Sequence, residues 1–178
     1  MGKVLSTFTN GFTGAVSRSI DNIVISMKNG SGGEIPFGAP VFLVPGENTC
    51  RTFDAQDSTA AAFLGFAARA AVKAPDVYGS NEASYSVGDP VDVLVRGSVI
   101  LQFTTAVVPG AAVYIRKADG ALVTEAGAEG TTLVLPNVTV RTASDGERRA
   151  EVVLSKRNIL YRRFLLICFS PPLFARTS

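Results

Sequence analysis

The sequence predicts an all-β fold, a single compact β-sandwich or small β-barrel body with extended N-terminal and C-terminal arms. Three observations carry this expectation. Short apolar runs recur every eight to fifteen residues, turn chemistry separates them, and the apolar residues are mainly Val, Ala, Leu, Ile and Phe in a chain with 17 Gly and 9 Pro. That spacing suits a sandwich or barrel and not strands alternating with helices. At 178 residues the chain is of a size for one domain with a real core. We divide it into an arm over 1–19, a body over 20–155 and a second arm over 156–178.

Residues 8–19 (FTNGFTGAVSRS) hold Gly and hydroxyl residues throughout, with no sustained period of 2 or 3.6, and so read as an extended arm. Phe8 and Phe12 would waste apolar surface there unless something covered them. A first strand follows over Asp21 to Met27, and Asn29-Gly30-Ser31-Gly32-Gly33 reads as a hairpin-like turn. Those glycines do not suit a phosphate cradle, because no Lys-Ser or Lys-Thr follows and no helix opens after them.

One pattern appears three times: Phe37-Gly38-Ala39-Pro40-Val41, Val87-Gly88-Asp89-Pro90-Val91 and, more weakly, Val108-Pro109-Gly110-Ala111-Ala112. In each, Gly opens a turn, and in the first two Pro fixes φ at a position that needs no ladder donor, so an apolar strand follows. Phe63 to Val72 is alanine-rich but contains Gly65, and among extended neighbours it reads as a strand. Ala74 to Ser86 reads as a surface loop, and Asp92 to Phe103 as two strands joined near Arg96-Gly97-Ser98. Asp119-Gly120 and Asp145-Gly146 are hairpin turns, and Glu151 to Leu154 is the last body strand.

Composition narrows the function. The chain has no His and no Trp. Without His, the usual catalytic triads and His-based zinc sites cannot be built. Cys50 and Cys168 are too few for a thiolate zinc site or a disulfide scaffold and read as free thiols. Asp89 and Asp92 flank Pro90 and are the nearest approach to a carboxylate site, but an Asp beside a turn ordinarily serves local hydrogen bonding. We therefore expect no enzyme activity, no cofactor and no metal. A carbohydrate-binding sandwich would want the stacking platforms that Trp and abundant Tyr supply. The N-terminus lacks the long apolar stretch of a signal peptide, so export by that route is not expected.

Charge is uneven. Residues 1–147 hold 10 basic and 14 acidic groups and residues 148–178 hold 7 and 1, for nets of −4 and +6. A mildly acidic body with a basic tail suits an acidic partner surface. Arg148, Arg149, Lys156, Arg157, Arg162 and Arg163 could meet phosphates, but the interleaved apolar residues fit protein contact better. Phe164-Leu165-Leu166-Ile167-Cys168-Phe169 is six consecutive apolar residues. Burying four or five of them is worth roughly 6–12 kcal/mol before ordering entropy, so a buried strand or an arm into a neighbouring subunit fits better than a membrane anchor, since one short segment binds a bilayer weakly.

Taken together, the segments 8–19 (FTNGFTGAVSRS), Phe37-Gly38-Ala39-Pro40-Val41, Phe63-Leu64-Gly65-Phe66-Ala67 and 85–97 (YSVGDPVDVLVRG) resemble the capsid cement, or head decoration, proteins of tailed phages over roughly residues 8–155. The tail after Leu154 departs from that pattern. The resemblance implies an all-β protein, made in the host cytoplasm, that binds the outer surface of the capsid as a homo-oligomer (dimer or trimer), bridges neighbouring major capsid protein subunits and has no nucleic-acid or membrane partner. Another virion role, as a head-fibre base or tail component, or a carbohydrate-binding β-sandwich module, is the alternative. On this reading Phe8, Phe12, Val16 and Arg18, together with Tyr161, Arg162, Arg163, Phe164, Leu165 and Phe169, carry the protein contacts.

Overall fold

The computed structural model describes residues 10–69 and 84–157. Among them the backbone forms eleven strands and one 3-10 turn, with no α-helix, as the all-β expectation requires. The strands are β1 (Val16–Asn29), β2 (Ile35–Pro36), β3 (Pro40–Leu43), β4 (Thr49–Thr52), β5 (Phe63–Ala67), β6 (Ser84–Tyr85), β7 (Pro90–Gln102), β8 (Ala112–Arg116), β9 (Leu122–Val123), β10 (Thr132–Val140) and β11 (Arg149–Leu154).

The three Gly-containing repeats do what their chemistry demands. Gly38, Gly88 and Gly110 take φ of 78°, 83° and 87°, a left-handed conformation that costs Gly least. In each case the strand begins two residues later, at Pro40, Pro90 and Ala112. The hairpin expectations at Asp119-Gly120 and Asp145-Gly146 are met as well, since β8 pairs with β9 and β10 with β11, both antiparallel.

Strand β7 organises the molecule. Along one edge it pairs antiparallel with β1. Its first half also pairs with β5, which pairs with β3, which pairs with β4, and β4 returns to the end of β1 in parallel at Lys28↔Thr49 and Asn29↔Cys50. These five strands close a ring. The second half of β7 pairs with β11, and the sheet continues through β10 and β8 to β9, while β2 and β6 form a separate two-residue ladder.

Two apolar cores follow from this path. Met27, Ile35, Val41, Cys50, Leu64, Ala67, Tyr85, Val91, Val93 and Val95 pack together, drawn from all five ring strands and the β2–β6 pair. Phe42, Phe63, Phe66 and Leu94, on the opposite faces of β3, β5 and β7, pack instead with Val99, Leu101, Val113, Ile115, Leu135, Val138, Val140, Val152 and Leu154. Neighbouring residues of a strand point to opposite faces, so Val41 and Phe42, or Val93 and Leu94, serve different cores. The result is a small ring of strands whose sheet runs on through β11, β10, β8 and β9 and packs against Phe42, Phe63 and Phe66 on the ring wall. It also accounts for the uninterrupted burial of β5, which is apolar on both faces.

Four expectations need correction. Residues 92–103 are not two strands, because Pro90–Gln102 is continuous and Gly97 is a crossing point within it. The residues after Asn29 do not make a hairpin, because the chain passes on to β2, whose partner is β6. Ser84 and Tyr85 are not surface loop. They are a strand, and the Tyr85 ring is buried edge-on to Phe37 with its hydroxyl donating to the Ala68 carbonyl at 2.6 Å. The first strand begins at Val16, not Asp21, so it crosses the expected boundary between arm and body at 19–20. The strand expected over 63–72 is present as Phe63–Ala67, and its continuation past 69 lies outside the described residues.

Candidate protein-interaction surface

Of the ten residues expected to carry contacts, Phe12, Val16 and Arg18 are described. Phe8, Tyr161, Arg162, Arg163, Phe164, Leu165 and Phe169 lie outside the described residues. The segment from Asn10 to Ala15 is strapped to the body. The Asn10 N–H donates to Asp145 Oδ2 at 2.9 Å, and its amide Nδ2 donates to the carbonyls of Ala143 at 3.0 Å and Arg149 at 2.6 Å. Further along, the Gly14 N–H donates to the Ile100 carbonyl at 2.8 Å, and the Ile100 N–H donates back to Ala15 at 2.9 Å. The strap can lie this close because Gly14 has no side chain, since a Cβ there would stand 2.8 Å from Gly38 N and Phe37 Cβ.

Phe12 is 46% exposed. The Arg69 guanidinium lies 5.2 Å from the centre of its ring and 5.6 Å from that of Phe37, within cation–π range of both. Val16 begins β1 opposite Val99. Arg18 reaches over β7 and makes a 2.8 Å ion pair with Glu151, whose Oε1 also accepts from Ser17 Oγ at 2.9 Å. Arg18 is therefore already partnered within the chain.

Two carboxylates hold this segment. Burial works to raise the Asp145 carboxyl, but backbone N–H donors from Arg149, Asn10 and Glu147, with the Arg149 charge, outweigh it and hold the group below its ordinary value. Burial likewise works against ionised Glu151, and hydrogen bonds from Arg18 and Ser17, with the charges of Arg18 and Arg141, more than offset it. Both are anions that fasten the chain. Neither resembles a catalytic acid poised near neutrality.

The candidate carboxylates at β7 also have local tasks. Asp89 Oδ2 accepts from the Ser86 N–H at 3.2 Å in the turn, and Asp92 Oδ1 accepts from Ser26 Oγ at 2.7 Å across to β1. Two of the basic residues considered for phosphate contact are occupied as well. Arg149 is nearly buried and paired with Asp145 and Glu147, and Arg148 donates to the Thr104 carbonyl at 2.6 Å.

Further exposed apolar residues, not singled out from the sequence, lie along β1. Ile20 is wholly exposed and Val24 is 44% exposed. With Phe12 and Val16 they make a series of exposed apolar residues at every fourth position. A spacing of four keeps residues on one face of a regular strand, but an arm ending at 19 and a strand expected only from Asp21 divide the series between two segments.

Comparison with known proteins fits this geometry. The family model described as "Structural cement protein (E217 gp24/Pam3 gp6)" matches residues 3–155. No match to a curated protein was found. Among solved structures the chain is similar to one from the capsid of Myoviridae phage XM1, with a TM-score of 0.66 and 19% identity, covering 87% of this chain and 96% of that one, so the fold is shared. The matched family is a structural one and not a family of enzymes. The family match spans most of the all-β body, and the chain is a member of the phage structural cement protein family.

Proposed function

We propose that this phage structural cement protein binds the outer surface of the head, bridges neighbouring major capsid protein subunits and so stabilises the mature shell. The observation that supports this most directly is the exposed apolar series Phe12, Val16, Ile20 and Val24, carried on a segment that Asn10 and Arg18 fasten to the body. An apolar series on a braced backbone suits a protein surface and loses little entropy on docking.

In this account the chain acts as a homo-oligomer, dimer or trimer, so that several modest contacts on one body give avidity across the lattice. Neither nucleic acid nor membrane is a partner. A protein that binds only the assembled shell stabilises it by mass action. Adding the purified chain to expanded shells that lack it should raise their dissociation temperature, saturating at a fixed ratio to coat subunits. Shells that fall apart at the same temperature with and without saturating protein would contradict the proposal.

A further inference from the structure

The backbone around Ile20 is built to hold that side chain away from the body. Between the pairs Arg18↔Ser98 and Ile23↔Arg96 the two strands fall out of register. Four residues of β1, 19–22, therefore stand opposite Gly97 alone. Such a bulge re-aims side chains, and here it leaves Ile20 with a relative exposure of 102%.

Both feet of the bulge are fastened. Asn22 Nδ2 donates to the Arg18 carbonyl and closes the loop, and Asn22 Oδ1 accepts from the Ser98 N–H at 3.2 Å. Arg18 is tied to Glu151 at 2.8 Å on one side, and Asp21 to Arg96 at 2.7 Å on the other. Gly97 is required beneath it, since a Cβ there would overlap the Asn22 side chain. The fold thus commits two ion pairs, an Asn and a Gly to a protrusion whose apolar tip gains nothing from the folded chain itself.

We propose that Ile20 is a preformed anchor that enters an apolar cavity on a coat subunit of the shell, with Val16 and Val24 contacting the rim. This rests on the capsid-binding reading above. The shell is the occupant favoured by two observations. The family is a phage structural cement one. The charges flanking the tip are paired within the chain, so they are not set out for anionic lipid.

The test compares wild type, Ile20→Ser and Ile20→Val for binding to expanded shells lacking the protein, with thermal melting and sedimentation of each protein alone. Ile20→Ser should bind about 10- to 100-fold more weakly, and Ile20→Val within about threefold of wild type. Melting should not change, because the side chain touches nothing in its own chain. Wild-type affinity in Ile20→Ser overturns the anchor while leaving the capsid-binding reading in place. Loss of self-association in Ile20→Ser, with shell binding intact, assigns the tip to a second copy and overturns it as well. Failure of wild type itself to bind shells removes the reading and the inference together.

Discussion

Gly65 offers the sharpest test of how the two cores are joined. It lies in β5 against β7, and a Cβ placed on it would collide with the Leu94 carbonyl and approach the Val95 Cα. Those are backbone atoms and cannot rotate aside, so Gly65→Ala must push β5 away from β7. Overpacking of this kind costs about 1–3 kcal/mol. The displacement also strains the Phe66↔Leu94 and Ala67↔Val93 ladder, where each lost hydrogen bond adds about 1 kcal/mol. A total near 4 kcal/mol predicts a melting temperature lower by about 8–16 °C for a domain of this size. Gly46→Ala is the control. Gly46 has φ of 81° with nothing within 4 Å of an added Cβ, so only backbone strain of about 1 kcal/mol applies, a shift of about 2–4 °C. Thermal melts followed by circular dichroism distinguish the two. If Gly65→Ala melts within about 4 °C of Gly46→Ala, the close β5–β7 approach is not what holds the cores in register.

Other consequences are equally specific. Asp145→Ala leaves the N–H groups of Asn10, Glu147 and Arg149 without their acceptor and should cost about 2–3 kcal/mol by urea denaturation; a change below about 0.5 kcal/mol would show that water replaces the carboxylate at no cost. Asp145 and Glu151 both lie below their ordinary values when folded. Their stabilisation is complete above about pH 5 and drains away as the pH falls below about 4 through the folded values. Amide exchange at Asn10 and Gly14, corrected for its intrinsic pH dependence, should therefore accelerate in acid, and equal protection at about pH 6 and pH 3 would contradict the strap. Burial pushes the Cys50 thiol up to about 11, so a thiol reagent at about pH 8 should label it only after unfolding. Labelling of Cys50 in the native protein, read by peptide mass, would place it outside the ring core.

The sequence made the locally determined parts of the fold legible. The three Gly repeats require a turn that feeds a strand, and Asp119-Gly120 and Asp145-Gly146 require tight reversals, whatever the rest of the chain does. Nonlocal features were not legible in the same way. Gly97 signals a turn by residue type, yet its purpose is to lie beneath a bulge that begins almost eighty residues earlier, and only the β1–β7 pairing reveals it. The β2–β6 ladder is two residues long and leaves no periodic trace. Closure of the ring depends on two pairs between β1 and β4 that no local pattern encodes.

The candidate surface shows the same division. Phe12 stood out as an aromatic in a polar segment, because its cost in water can be read from its neighbours. Arg18 stood out by charge, and the structure gives it a partner in Glu151, 133 residues away, that sequence could not supply. Ile20 was passed over, because it falls between the arm read over 8–19 and the strand expected from Asp21. Its significance comes from register, since the same residue one step away would have a different exposure.

Electron cryomicroscopy of mature virions tests the central claim most directly. The account predicts density for this β body on the outer face of the shell, touching at least two coat subunits, with the β1 bulge at one of the contacts. Density inside the shell, or an external body that touches one coat subunit alone, would contradict it.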